Sequence, residues 1–503
     1  MTDREARQAI LDNARYLRNV RPVDPEEIHE YVPGRPHPAV VRGVLREAAF
    51  DLGMRERADG TFVPVEEGPA DVDFRGVEAF PEAYANRLED LLAEAYGPDW
   101  HEGGSSAERS SADRSSGRRG GETASNETAM PFRGPRGDGD ALRDRIRRLK
   151  EDYYRDRPVE YDRETAHAYA VYHLPDYYAA VQYPLADLAE DDLLSRRLRV
   201  LDVGAGVGGP ALGIHDLLPG ASLVEYHAVE PSAAAGVFES MLEGARPSFR
   251  TELHRETAES FEPEGEYDLL LFGNVLSELD DPIGTARRYC EFLAEDGTCL
   301  LLAPADLETA TGLRAVERAL VDDGPYDTYA PTLRLWPGEH PTDRGWTFAV
   351  RSDLAVPGFQ RRLDEAAGGE STFVNVDVQY AYATVRSDGA RAIEFTPDPD
   401  RYAKLADSER HVTKRVDLVA LKLSHDLSGD PAKNPLYRIS DGSESTDHYA
   451  VLTRESALND ALRGAGYGDL LAFENVLVLW NDDESAYNLV VDGETVVDRV
   501  AVA

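Results

Sequence analysis

Lysine is nearly missing from this chain: among 503 residues there are five lysines, and only two cysteines. Each scarcity excludes something. Two cysteines, Cys290 and Cys299, cannot build a disulfide framework or a four-thiolate metal site within one chain. No apolar run approaches the roughly 18 residues that a bilayer-spanning helix needs, so no membrane partner is expected. The start, Met1-Thr2-Asp3-Arg4-Glu5, is charged at once and shows no secretory apolar segment, which makes a cytoplasmic protein the expectation. Cations are outnumbered, with 54 Lys+Arg against 94 Asp+Glu and a net charge of −40. Carboxylates stay hydrated in multimolar salt, so this acidic, lysine-poor balance reads as a halophilic adaptation. At about 1 M salt the Debye length is about 3 Å, and charge alone therefore does not exclude RNA. What is present is enough apolar material for real cores, 42% of residues, and length for two to four domains.

Residues 1–68 read as three helices and a hairpin. Asp24 caps a short helix with Pro25 at its first position, His37 to Leu52 gives a third helix, and Met54-Arg55-Glu56-Arg57, Asp59-Gly60 and Thr61-Phe62-Val63-Pro64 give strand, turn and strand. That is the order of a winged helix, with Arg42 and Arg46 expected outward near Arg55 and Arg57. Such a unit serves nucleic-acid contact or protein docking. A helical extension covers 69–98. A tether follows at 99–140, where Gly, Ser, Arg and Glu leave almost no large apolar side chain to offset ordering entropy. A helical lead-in occupies 141–195, with helices expected over Leu142–Tyr154 and Thr165–Leu188.

Leu198-Arg199-Val200-Leu201-Asp202-Val203 is a buried-strand pattern running into Gly204-Ala205-Gly206-Val207-Gly208-Gly209 and then a helix. Glycines at such a bend let backbone approach a ligand and let helix pack on strand. Asp202 suits an aminoacyl ammonium and would repel a pyrophosphate. Tyr226-His227-Ala228-Val229-Glu230 is a second strand ending in an acid, 22 residues after Gly208, the place for gripping ribose hydroxyls. Tyr267 to Phe272 is a central strand leading to Gly273-Asn274. This combination, over residues 196–400, resembles a class I S-adenosylmethionine-dependent methyltransferase, an α/β Rossmann-like fold. The cofactor set is then Asp202, Gly204, Gly206, Gly208, Glu230 and Asn274, with Ala258 near adenine. Loop capping by the carboxylates is the alternative for Asp202 and Glu230.

No catalytic residue can be assigned from sequence. The slot after the fourth strand, Gly273-Asn274-Val275-Leu276-Ser277-Glu278-Leu279, lacks the Asn-Pro-Pro-aromatic motif, and no Pro-Cys pair offers a nucleophile. Glu278 is either a base or a helix-terminal carboxylate. Cys290 and Cys299 read as core residues, and no metal ligand set is expected.

Tyr169-Ala170-Val171-Tyr172-His173-Leu174-Pro175-Asp176-Tyr177-Tyr178-Ala179-Ala180, the loop Leu201 to Gly208, Gly273 to Leu279, and the later stretch from Tyr329-Ala330-Pro331 through Trp346-Thr347-Phe348-Ala349-Val350-Arg351 to Ala383 resemble the mitochondrial small-ribosomal-subunit methyltransferase-like family. The resemblance implies a factor that binds small-subunit rRNA, or an assembly intermediate, with methylation optional. Relatives place four cysteines in the later segment for an iron–sulfur cluster. This chain has none there, so the cluster is not carried over, and packing by Trp336, Trp346 and Phe348 is expected in its place.

Residues 412–503 change character again. Val416 to Leu423, Tyr437 to Ser440 and His448 to Leu452 are three strands. A helix is expected over Glu455–Leu462, and strands return at Leu470 to Trp480, Tyr487 to Val491 and Thr495 to Val500. This is the order of an OB-fold-like β-barrel, another small barrel being the alternative. OB-folds stack bases on aromatics, which makes Tyr437, Arg438, His448 and Tyr449 the nucleic-acid candidates. Three functions follow as expectations: a cofactor-binding factor of small-subunit assembly, an active methyltransferase on RNA or a translation protein, and a DNA-binding repair or transcription protein.

Overall fold

Asp24 does cap its helix, its carboxylate accepting the Glu26 N–H at 2.9 Å. In the computed structural model, which describes residues 3–102 and 139–501 apart from Asp156 and Pro158, this helix is α2 (Pro25–Tyr31). It follows α1 (Asp3–Leu17) and precedes α3 (Pro38–Glu47) and α4 (Ala49–Leu52). The hairpin β1 (Met54–Glu56) and β2 (Phe62–Pro64) comes next, and Val23 bridges Phe62. Ile10, Ile28, Val41, Leu45 and Phe62 close a small core of their own. Arg42 and Arg46 are at the surface as expected, but they are paired. Glu56 accepts from Arg46 at 2.9 Å and lies 3.7 Å from Arg42. The unit is also docked, since Arg250 donates to the Glu47 carbonyl at 2.8 Å and Arg197 and Arg199 lie over the Phe50 ring.

Helix α5 (Glu82–Tyr96) packs on the central domain, where the Tyr84 hydroxyl donates to Asp216 at 2.7 Å. Most of the tether expected at 99–140 lies outside the described residues. Three helices follow: α6 (Gly139–Tyr154), α7 (Arg163–Ala180) and α8 (Gln182–Glu190). The run expected over Thr165–Leu188 is therefore divided at Val181, and Pro184 sits in the first turn of α8, where its missing N–H costs nothing.

The central sheet is built from β3 (Arg197–Val203), β4 (Leu223–Val229), β5 (Phe249–His254), β6 (Tyr267–Gly273), β7 (Leu293–Pro304), β8 (Asp327–Ala330), β9 (Ala349–Val350) and β10 (Gln379–Arg386). Its order is β5-β4-β3-β6-β7-β10-β8, with β9 on β10. The strands from β5 to β7 run parallel, and β10 runs antiparallel to both β7 and β8. Strands buried on both faces need apolar residues at successive positions. Val200, Ala228, Leu269 and Leu271 accordingly face one core, and Leu201, Val203, Leu270 and Phe272 the other. Cys290 and Cys299 are buried in the second core as free thiols. Strand order reverses between β3 and β6, which is where an open α/β sheet leaves a crevice beyond its carboxyl ends.

The C-terminal strands are β11 (Arg415–Lys422), β12 (Leu436–Ser440), β13 (His448–Leu452), β14 (Leu470–Asn481), β15 (Ala486–Val491) and β16 (Val496–Arg499). The first five close into a barrel in the order β11-β12-β13-β15-β14, with β14 pairing back to β11 and β13 parallel to β15. A helix, Asp460–Gly464, does lie between β13 and β14, but it starts five residues later than expected. The barrel is packed against the central domain. Leu333, Leu335 and Trp336 meet Val419, Leu421 and Leu423 there, and the Trp336 indole donates to Asp441 at 2.8 Å. Trp336 thus packs as expected, whereas Trp346 is 39% exposed. Among the described residues, no helix is long and apolar enough to cross a membrane.

Candidate active site

The glycine loop leaves β3 and folds back on the end of β4. The Val229 carbonyl accepts from Gly204 N–H at 2.9 Å and Ala205 N–H at 3.1 Å. Gly204 has a φ of 74°, and a Cβ there would stand 2.4 Å from Val275 Cγ2, so any side chain would collide with the strand-end loop of β6. Gly206 has a φ of 54° and faces open space, its nearest neighbour being the Gly204 carbonyl at 4.0 Å. Glu230 ties the arrangement together: Oε2 accepts the Gly206 N–H and Oε1 the Ser232 N–H, both at 2.9 Å.

The result is a cleft at the switch point of the sheet. Gly204 to Val207, Glu230, Ser232, Gly273, Asn274 and Val275 form the wall that the strand ends supply. Tyr161, Tyr169, Tyr177 and Glu278 form the other part of its lining wall. Tyr169 and Tyr177 stand eight residues apart on α7 with His173 between them. The spacing puts all three on one helical face, and the His173 and Tyr177 rings stack at 5.2 Å. The Tyr161 hydroxyl donates to Glu278 Oε1 at 2.8 Å and the Tyr153 hydroxyl reaches the same oxygen at 3.4 Å. Glu278 is solvent-accessible, yet partial desolvation by the surrounding side chains raises its carboxyl from the ordinary value, against the pull of the Tyr161 hydrogen bond. Burial pushes Tyr153 up to about 12 and Tyr161, Tyr169 and Tyr177 higher still. The phenols are therefore neutral donors and aromatic faces, and the proton-accepting group of that wall is Glu278.

Of the residues the sequence singled out, Gly204, Gly206, Glu230 and Asn274 meet at this cleft. Gly208 lies behind it, where a Cβ would stand 3.1 Å from Leu242 and Phe238. Asp202 is fully buried under the loop. Its Oδ2 accepts from the Tyr226 hydroxyl at 2.6 Å while Oδ1 has no hydrogen-bond partner, and burial lifts the group to about 7. It does not line the cleft, where an ammonium group was expected to meet it. Ala258 is buried in the second core, its carbonyl held by Tyr289 at 2.8 Å, and it does not line the cleft. Glu278, read from the sequence as either a base or a helix-terminal carboxylate, lines the cleft. The tyrosines were not assigned, although the Tyr169–His173–Tyr177 spacing carried the signal.

The nucleic-acid set needs correction. Tyr437 is buried inside the barrel, and Arg438 is buried in ion pairs with Asp343 and, at 2.9 Å, Asp447. His448 is buried between Ser408 Oγ at 2.8 Å and the Thr446 carbonyl at 2.7 Å, and burial pushes its imidazole down to about 4. Tyr449 is half-buried with the Arg438 guanidinium 5.9 Å from its ring. None of the first three can stack on a base in this packing. The exposed aromatic of the barrel is instead Trp480, 40% exposed and 4.8 Å from the Tyr487 ring.

Comparison with known proteins adds independent findings. A family described as "Methyltransferase domain" matches residues 173–355. The N-terminal and C-terminal domains of a family described as a domain of unknown function (DUF8157) match residues 7–58 and 406–500. No curated protein matches the chain. Among solved structures, the plantazolicin methyltransferase BpumL in complex with a triazolic desmethylPZN analog and SAH is 12% identical, with 49% of this chain and 98% of that chain covered and a TM-score of 0.29. The glycopeptide N-methyltransferase MtfA complexed with S-adenosyl-L-methionine is 24% identical over 21% of this chain and 43% of its own, TM-score 0.18. A putative S-adenosyl-L-methionine-dependent methyltransferase from Methanococcus maripaludis is 14% identical over 33% and 74%, TM-score 0.25. Residues 173–355 thus match a methyltransferase-domain family, and the central sheet is Rossmann-like.

Proposed function

We propose that this chain transfers a methyl group from S-adenosylmethionine to an N–H or O–H acceptor that enters the cleft beside the tyrosines and Glu278. The observation that carries the reading is the position of Glu278, a solvent-accessible carboxylate held by two phenols in the same cleft as the glycine loop and Glu230. The cleft suits the cofactor. Glu230 offers its carboxylate beside the open face at Gly206, and the tyrosine faces in the same lining favour a cationic sulfonium. Gly204, Gly206, Glu230 and Asn274 would hold it; when bound, it supplies an electrophilic methyl group. The tyrosines orient the acceptor and exclude water. Glu278 takes the acceptor's proton as the methyl group arrives on that same nitrogen or oxygen.

The test uses methyl-tritiated S-adenosylmethionine with the full chain in molar salt and a panel of RNA, proteins, free amines and hydroxyl compounds. Label should appear on one acceptor class. No transfer to any class by folded protein that binds the cofactor would contradict the reading.

A second reading places the protein in small-ribosomal-subunit assembly. It is supported by the resemblance of the α7 segment, whose tyrosines line the cleft, and by the barrel's strand order, which suits an OB-fold. The N-terminal helices with the Val23–Phe62 bridge suit a winged helix. Trp480 is then the stacking residue, in place of Tyr437, Arg438 and His448. Ultraviolet crosslinking in native salt tests it: enrichment of one small-subunit rRNA region supports the reading, while DNA or background alone removes it.

A further inference from the structure

Away from the cleft wall, the register of β4 against β5 brings together three residues with no role in the account above. His227 stands opposite Glu252, and Val229 opposite His254. Side chains alternate along strands, so His227, Glu252 and His254 share one face of the sheet at its outer edge. One ligating atom of each lies within 4.8 Å of the other two. His227 Nδ1 and His254 Nε2 are 3.2 Å apart, with rings only 8° from parallel. Two nitrogens bound to one tetrahedral zinc, each at about 2.0–2.1 Å, stand roughly 3.3 Å apart. The unbound pair is therefore already at ligand spacing.

The surroundings add a second observation. A metal-bound imidazole typically gives its other N–H to a carboxylate that fixes its orientation. His227 Nε2 lies 3.7 Å from Glu225 Oε2, and Glu225 is itself held by the Arg199 Nε at 2.8 Å. Phe261 packs 4.6 Å from the His254 ring and Tyr267 5.5 Å from the His227 ring, which restricts both imidazoles. Glu252 is exposed and leaves a coordination position open to water.

We propose that His227, Glu252 and His254 bind a divalent transition-metal ion of zinc's class, two imidazole nitrogens and one carboxylate oxygen being its ligands. The donor set excludes the hard cations, which take oxygen ligands. The ion does not touch the reacting atoms; it staples the edge strand β5 to β4. It also bears on the cofactor wall, because the His254 carbonyl accepts the Glu230 N–H at 2.9 Å.

The experiment is a titration of zinc chloride into the full chain, stripped with a chelator and held in molar salt, followed by calorimetry and by the visible absorption of the cobalt-substituted form. One-to-one binding at micromolar affinity or tighter is expected. Glu252→Gln should weaken it at least tenfold, Glu225→Gln by about tenfold, and His254→Ala should abolish the cobalt band. Glu252 is exposed, so its variant should fold even if the histidine variant does not. Absence of a one-to-one site in folded wild-type protein would overturn the proposal, as would affinity and cobalt spectrum unchanged in Glu252→Gln.

Discussion

Two carboxylates in one cleft are held in opposite ways. Backbone N–H groups hold Glu230 and phenols hold Glu278, so one braces the cofactor loop while the other stays available to accept a proton. Replacing Glu278 by Gln keeps the shape and removes the base. Turnover should fall about 10²–10⁴-fold while cofactor affinity stays within a few-fold, measured as S-adenosylhomocysteine release against calorimetry. The wild-type rate should rise with pH through a midpoint above the usual carboxylate range. Asp202 gives a different prediction. Its folded carboxyl titrates at about 7 and its unfolded one near 4, so the folded state holds the extra proton between these values. Stability therefore falls as pH rises across that window, by roughly 4 kcal/mol at most, and the penalty is complete above it. Asp202→Asn resembles the protonated group, and should flatten this dependence and raise denaturation midpoints at pH 8. An Asn variant as pH-dependent as the parent would place the shift elsewhere.

At the scale of elements, the central sheet was legible because its strands are doubly buried and written as apolar runs, and the glycine loop because its bend needs positive φ at Gly204 and Gly206. The barrel strands were legible through alternation and turn residues. Neither signal says which outward face another segment covers. Arg438 alternates away from the barrel core and read as a surface cation, yet the chain around Asp343 folds over it. His448 was hidden the same way by Ser408. The His227–Glu252–His254 group was invisible for a related reason, because only the strand register places the three together. Arg438→Ala should therefore act on stability: Asp343 keeps Arg318 at 2.7 Å but half-buried Asp447 loses its guanidinium partner, at a cost below the roughly 3–5 kcal/mol of a fully broken buried pair. Chemical denaturation measures it. A variant as stable as wild type but weakened in RNA retention would restore the surface reading.

At the scale of the whole molecule, the barrel is joined to the central domain by a packed seam, not by a tether. Gly442, with a φ of 80°, lies so close to Leu333 that a Cβ there would stand 1.6 Å from its carbonyl oxygen. Backbone cannot yield as a flexible side chain would, so Gly442→Ala must open the seam around Trp336 and Asp441. A lower midpoint of thermal unfolding and new proteolytic cuts near residues 331–345 are expected, and an unchanged midpoint would show the seam to be slack. The same seam means that a module boundary read from composition does not mark an independently mobile part.

The cleft joins these scales, since it needs the loop, the strand ends of the sheet and the tyrosine face of α7 at once. Its most direct test is calorimetric titration of S-adenosylmethionine into the full chain and into Gly206→Arg, whose side chain would fill the open face of the loop. A single saturable site is expected in the wild type, weakened more than tenfold in Glu230→Ala and lost in Gly206→Arg. Binding of equal strength in all three folded proteins would contradict it.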